Sequence, residues 1–313
     1  KKDQNFALSI MLGIAFSANI GGMATIIGTP PNTVLAGFLQ NEYGIELGFF
    51  NWMLMGLPLA VLLLTVNYFV IVKIFYPNGL GQLQADGLIE QELAKLGPMS
   101  RAEKVVLSIF LLTALLWMLR SSLNTWFPGL QLNDTIISMM GAVALFAAPL
   151  DFRTGRFPLD WKDTQQLPWG ILLLFGGGLA LAGGLSQVGL IDLIGNSIAQ
   201  AEGLSIFWIT AALIAVMLFM TELMSNVALI SIFAPVVAGI ALGLDVPLFH
   251  LLIPVTLASS CAFMLPMATP PNAIVFASGH IKVYQMARVG LVLNLISIAV
   301  LIVVAYFFVP HLF

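Results

Sequence analysis

Long apolar blocks separated by short polar stretches set the pattern of this chain. A helix needs about 20 mostly apolar residues to cross a bilayer, and blocks of that order recur from end to end. The pattern predicts a broken span at Phe6–Gln40, a continuous one at Phe49–Tyr76 and a polar connector at Pro77–Ser100. In the connector, Leu88, Ile89, Leu93 and Leu96 oppose Glu90, Glu92 and Lys95, the pattern of a short solvated or interfacial helix. Spans follow at Glu103–Leu119 and Thr135–Leu150, then a charged loop at Asp151–Gln166 and a glycine-rich span at Trp169–Leu185. Ile191–Ala201 reads as a short helix lying along an interface. Leu204–Met224 and Val227–Leu242 are two apolar arms meeting at Ser225-Asn226; a second broken span runs from Phe249 to Gly279, and Arg288–Val309 is the last. The expected fold class is all-α and integral to a membrane.

The two broken spans carry one signature, Gly28-Thr29-Pro30-Pro31-Asn32 and Ala268-Thr269-Pro270-Pro271-Asn272. Two adjacent prolines remove two backbone donors and clash with the preceding turn, and the residue before a proline leaves the α region, so each helix stops at or before its threonine. It can restart at once, because threonine suits an N-cap and proline the first helical position. One such break reads as a kink; two with one signature read as halves of a transport site.

Placement of Lys and Arg tests the layout by the positive-inside rule. Lys73, Lys95, Arg101 and Lys104 flank the connector, and Arg153, Arg156 and Lys162 lie in the charged loop, so both face the cytoplasm. Lys1 and Lys2 are then inside, and the Asn41–Gly48 turn, without Lys or Arg, is outside. Every basic residue except Arg120 falls inside only if Leu204–Leu242 enters and leaves from the outer face, as a re-entrant hairpin tipped by Ser225-Asn226. The first signature then lies on an outward span and the second on an inward one, an inverted repeat with two discontinuous helices. The segment's N-terminus is expected in the cytoplasm and its C-terminus outside, in a multi-pass plasma (inner) membrane protein.

Composition agrees with this and narrows it. Of 313 residues, 59% are hydrophobic and 9% charged, against roughly a quarter charged in an ordinary soluble domain. The net charge of −3 says nothing about nucleic acid, but no basic cluster of the kind such a partner requires is present. The single cysteine, Cys261, excludes an internal disulfide and a metal-binding cysteine set. His250, His280 and His311 are scattered near span ends, and no nucleophile–base pair is apparent, so an enzyme is not expected. Gly176-Gly177-Gly178 and Gly183-Gly184 suit helix packing, since no Lys or Ser/Thr follows at phosphate-loop spacing.

The candidate chemistry sits at the breaks. The restarting helices present unpaired N–H groups and about half a positive charge, suited to oxyanions; two of them suit a substrate with two anionic groups. Carbonyls near Gly28 and Ala268, at the ends of the first half-helices, suit a weakly bound monovalent cation. Ser225-Asn226 reads either as a plain turn or as a polar tip seeking partners at the second break. Glu222, the only acid inside an apolar arm, could take up protons, orient the tip or be structural.

Ser17-Ala18-Asn19-Ile20-Gly21-Gly22-Met23-Ala24-Thr25 running into the first signature resembles the divalent anion:sodium symporters. Leu172-Leu173-Leu174-Phe175-Gly176-Gly177-Gly178-Leu179-Ala180-Leu181, Ser225-Asn226 and the second signature fit the same family, over essentially the whole chain. The resemblance implies a homodimeric, elevator-type sodium-coupled carrier of dicarboxylates or citrate in the lipid bilayer. Carried over, Gly28, Ser225, Asn226 and Ala268 hold sodium ions, the co-transported cofactor, and Thr29, Pro30, Asn226, Val227, Thr269 and Pro270 line the substrate. Val227 departs from the family's Ser-Asn-Thr tip and lacks its hydroxyl. The implied organisation is transport domain over 1–48, mainly scaffold over 49–168, transport domain again over 169–287 with the hairpin at 204–242 and the second broken helix at 249–279, and a last span at 288–313. A carboxylate exchanger, a proton-coupled carrier of the sulfate type and an anion channel are the alternatives. The chain does not begin with methionine, and the symmetry calls for a matching hairpin upstream of Lys1, so these residues are expected to be part of a longer transporter.

Overall fold

The computed structural model describes residues 2–77, 88–150, 156–166, 169–189, 193 and 205–313, and among these the regular structure is helical, with no extended strand. The expected interfacial helix at Ile191–Ala201 lies, apart from Leu193, outside the described residues, as do parts of the connector and of the charged loop. Five helices are long and apolar enough to cross a bilayer among the described residues: Gln4–Gly22, Phe49–Phe75, Arg101–Trp126, Asn226–Gly243 and Val283–Phe307. The chain is thus a multi-pass membrane protein of helices.

Its contacts divide it into two compact units, Lys1–Leu47, Asn51–Leu80 and Gly170–Phe313 forming the larger, Gly48–Phe50 and Gly81–Trp169 the smaller. In the smaller unit, α4 (Leu88–Leu96) is followed by the paired helices α5 (Arg101–Trp126) and α6 (Asp134–Ala147). Ser100 and Glu103 close a capping box at the start of α5, and the Asn133 side chain caps α6 through the Ile136 N–H at 2.7 Å. These caps set helix starts a residue or two ahead of the expected spans at Glu103 and Thr135. Arg120, the one basic residue left outside by the charge pattern, is paired with Asp134 at 3.1 Å. Asp134 also accepts from the Phe49 N–H at 3.2 Å, and its carbonyl from the Trp117 indole at 3.1 Å. Residues of α5 are nowhere buried, and Phe110, Leu111 and Leu112 are exposed, which suits a helix facing lipid.

The larger unit contains both proline signatures. Helix α1 (Lys2–Gly22) ends well before the first signature, and α2 (Pro30–Tyr43) restarts at its first proline. Helix α3 (Phe49–Tyr68) continues as a π-helical stretch to Phe75. Helix α7 (Trp169–Gln187) precedes the two apolar arms, α8 (Ile206–Met220) and α9 (Asn226–Gly243), which are joined by a turn over 221–225. Then come α10 (Leu248–Ser259), α11 (Pro270–Ala277), α12 (Val283–Phe307) and the terminal turn α13 (Val309–Leu312). The last long helix begins five residues before the expected Arg288, because the Gln285 side chain accepts from the Lys282 N–H at 2.8 Å and starts the helix there.

Packing in this unit crosses between the two signatures: α11 lies on α1, and α2 lies on α9 and α10. Two glycines let neighbouring helices come against the bare backbone of the breaks. A Cβ on Gly56 of α3 would lie 2.6 Å from the Met23 carbonyl, and one on Gly290 of α12 would collide with the Phe263 carbonyl. Adding a methyl at either place forces backbone apart, with an overpacking penalty of about 1–3 kcal/mol. Gly56→Ala and Gly290→Ala should each lower the thermal unfolding midpoint of the detergent-solubilised full-length protein. Gly13→Ala, where nothing lies within 4 Å of the added carbon, should leave it unchanged or raise it.

Candidate functional site

The two breaks are built alike. In each, the fifth residue of the signature is a fully buried asparagine whose side-chain amide reaches back to the carbonyls that the first helix leaves open. Asn32 Nδ2 donates to Thr25 O at 2.9 Å and Gly22 O at 3.4 Å, and Asn272 Nδ2 donates to Leu265 O at 3.1 Å and Ala262 O at 2.9 Å. The partners stand seven and ten residues upstream in both copies. The same carbonyls at Thr25 and Leu265 also accept from the first residue of each signature, Gly28 N–H at 3.1 Å and Ala268 N–H at 3.2 Å. The asparagine therefore does inside the protein what water does at an exposed helix end.

Each threonine stands at an N-cap in extended backbone, Thr29 at φ −145° and Thr269 at φ −141°. The expected side-chain cap forms only in the second copy, where Thr269 Oγ1 accepts from the Asn272 N–H at a long 3.4 Å; Thr29 makes none. Prolines at the first two helical positions donate nothing, so the N–H groups of the second half-helices begin at the asparagines. The first half-helices end at Gly22 and Ser259, so Gly28 and Ala268 close irregular loops rather than the helix C-termini expected from sequence.

The apolar arms bring a third element. Ser225 is the residue before α9 and Asn226 its first. Thr221, at the end of α8, has its hydroxyl 2.6 Å from Asn226 Oδ1 and 2.7 Å from the Ser259 carbonyl. These three oxygens share one hydroxyl proton, so the group is rich in lone pairs. Glu222 is buried beside it, and its carboxylate accepts the Phe263 and Met264 N–H groups at 2.8 Å each and the Leu265 N–H at 3.0 Å. Asn294 of α12 adds its amide at 2.8 Å. The acid thus orients the second break, a partner that the sequence, which left open proton uptake, the Ser225-Asn226 tip or a structural role, did not name.

Cross-links join the breaks. Asn19 of α1 donates to Asn272 Oδ1 at 3.1 Å and to the Ala262 carbonyl at 3.2 Å. Phe16 packs against Phe263 in a tilted pair with ring centroids 5.3 Å apart, and Cys261 Sγ lies 3.9 Å from Met23 Sδ. The Trp52 indole donates to the Met23 carbonyl at 3.0 Å, holding the first break from α3.

All nine residues singled out from sequence line one cavity of about 580 Å³: Gly28, Thr29, Pro30, Ser225, Asn226, Val227, Ala268, Thr269 and Pro270. Among the described residues its lining contains no charged side chain. Thr29 is half-buried and Thr269 buried; Gly28, Pro30, Ser225 and Pro270 are exposed. Thr221, Asn19 and the Asn32/Asn272 brackets were not assigned roles from sequence. Only the fixed place of asparagine in both signatures signalled any of them.

Fold and cavity together define a class, the multi-pass helical membrane proteins whose broken helices meet at an internal cavity. The chain belongs to the family described as "Sodium:sulfate symporter transmembrane region", whose family model matches residues 1–313. It is similar to the sodium-dependent dicarboxylate transporter SdcS of Staphylococcus saprophyticus, 39% identical over 308 residues, covering 97% of this chain and 59% of the relative. It is similar also to the transporter of the same name from Staphylococcus aureus strain USA300, 38% identical over 310 residues, covering 98% and 60%. The chain thus spans about three fifths of the length of these curated relatives.

The asparagine brackets predict a penalty in both breaks. Asn32→Ala and Asn272→Ala each remove two buried hydrogen bonds to loop carbonyls, and each should destabilise the full-length protein by about 1–3 kcal/mol. Thermal unfolding in detergent measures this, with faster backbone hydrogen exchange confined to the break that lost its asparagine.

Proposed function

We propose that the full-length protein is a sodium-coupled carrier of dicarboxylates, extending to tricarboxylates such as citrate, and that the cavity is its substrate site. The observation that carries this reading is the convergence of both signatures and the arm tip on one uncharged cavity. A dianion there meets the N-terminal ends of α2 and α11, each with its partial positive charge, and the hydroxyl of Thr269 and amide of Asn226. Thr29, Pro30, Val227 and Pro270 shape the walls. Sodium is the co-transported ion: the Asn226 and Thr221 oxygens with backbone at Ser225, Ser259 and Ala268 serve one ion, and Gly28 serves another. Neutral oxygens suit a monovalent ion that must be released again. The names of both relatives support sodium and dicarboxylate; the family's description supports sulfate-type anions as a second substrate class.

In this reading α8–α9 is a re-entrant hairpin, the signatures are inverted repeats, and the protein works as a homodimer in the lipid bilayer. The site-bearing elements over 1–48 and 169–287 move as a transport domain against a scaffold drawn mainly from 49–168, with 288–313 as the last span, by an elevator motion.

Two experiments test it. Full-length protein in liposomes should take up labelled succinate when sodium is high outside and not when potassium replaces it, with citrate and sulfate as competitors; uptake driven by a proton gradient or by internal succinate alone would favour the alternatives. Thr269→Ala and Asn226→Ala each remove a polar group that meets an anion or cation, worth about 1.5–3 kcal/mol, and should weaken apparent substrate or sodium affinity about tenfold to a hundredfold. Unchanged affinities for both ligands in both variants would take these residues out of the site. Single cysteines at Ser205 and Gly243, with Cys261 replaced, should both react with an impermeant reagent from outside; labelling from opposite faces would sink the hairpin.

A further inference from the structure

We propose that Glu222 is a positioning residue that sets sodium affinity at the second break, a role resting on the transport reading above. Its carboxylate lies in a nest of three successive backbone N–H groups, Phe263, Met264 and Leu265. With the Asn294 amide, all four neighbours donate and none accepts. One side chain therefore ties the end of α8 to the loop between α10 and α11 and to α12.

The consequence passes along the backbone. The peptide N–H of Leu265 is held by Glu222 Oε2, and the carbonyl of the same residue receives Ala268 N–H and the Asn272 amide. Asn272 N–H in turn meets Thr269 Oγ1. Where Ala268 and Thr269 stand thus depends on how Leu265 is turned, and Glu222 turns it. The acid is also one residue from Thr221, whose hydroxyl touches both Asn226 and Ser259. Hairpin tip and break are therefore set relative to each other through neighbouring residues of one short turn. The first break is held differently: Met23 and Ala24 N–H bond to Ile20 and Gly21 carbonyls of their own turn, at 3.1 Å each. The effect of Glu222 belongs to the second break alone.

Glu222→Gln keeps the size of the side chain but sets an NH2 group against at least one N–H donor. In full-length protein reconstituted in liposomes, the sodium concentration for half-maximal succinate uptake should rise about tenfold, as expected for a lost charged hydrogen bond. The maximal rate at saturating sodium should fall much less. Glu222→Asp, which keeps the charge on a shorter stem, should lie between Gln and wild type, and Asn294→Leu, which removes one donor of four, should shift sodium dependence less than Gln does. Hydrogen exchange, measured without substrate, should quicken at Phe263–Leu265 in the Gln variant and stay unchanged at Met23–Thr25. Faster exchange with wild-type sodium dependence would make Glu222 merely structural and overturn the proposal, as would unchanged exchange. If Glu222→Gln fails to fold, the same two readouts in Glu222→Asp and Asn294→Leu decide it, and wild-type behaviour in both overturns it. A wild-type protein without sodium-dependent uptake would instead refute the transport reading, and the proposal with it, whereas the exchange pattern would still report whether Glu222 holds the loop.

Discussion

A helix that stops inside a bilayer leaves carbonyls and amides that no water is at hand to satisfy, and everything around the two breaks answers that constraint. Asn32 and Asn272 give the open carbonyls a donor from within the same stretch of chain. The remaining groups are met from outside it: the Met23 carbonyl by the Trp52 indole, the Ala262 carbonyl also by Asn19, and three consecutive N–H groups by Glu222. Once these bonds are made the loops are no longer free to vary, since releasing any one of them forfeits a buried hydrogen bond.

That rigidity gives the cavity its chemistry. Because the polar groups of the loops are spent on one another, what faces the cavity is a small set of threonine, serine and asparagine groups and the ends of short helices, without a charged side chain among the described residues. Fixed dipoles of this kind attract an anion without the strong hold of a paired lysine or arginine, and neutral oxygens hold sodium without the grip of a carboxylate. A carrier needs both properties, because each ligand must leave on the far side. Keeping Glu222 bonded to backbone fits the proposed carrier role: the charge is used for architecture and kept out of the cavity.

How far the sequence foretold this follows from the range of each interaction. The proline pairs mark both breaks because their effect is on adjacent residues, and α2 and α11 begin at Pro30 and Pro270 as expected. The positions that line the cavity were legible too, since they are the signatures themselves and the polar interruption at Ser225-Asn226. The boundaries were less so: proline fixes where a helix restarts, whereas Gly22 and Ser259 end theirs upstream because the loop carbonyls find asparagine instead of continuing the helix. Partners of Glu222 lie 41 to 43 and 72 residues away, and those of Asn19 lie 243 and 253 away. Contacts at such separations leave no periodicity or spacing in one sequence.

The two copies of the signature also show which part of the design is local. Motif, asparagine bracket and the bond to Gly28 or Ala268 recur in the same register, because all of them are encoded within about three helical turns. Outside that window the copies part. The Met23 and Ala24 amides turn back on their own carbonyls and the loop is braced by Trp52, whereas the Phe263, Met264 and Leu265 amides are gathered by Glu222, itself held by Asn294, and the loop is braced by Asn19. Gly56 and Gly290 solve one problem, close approach of another helix to a carbonyl of the break, from different positions on α3 and α12. The signature is therefore a self-contained way to break a membrane helix, and what distinguishes the two sites is the set of distant side chains recruited to hold each break in place.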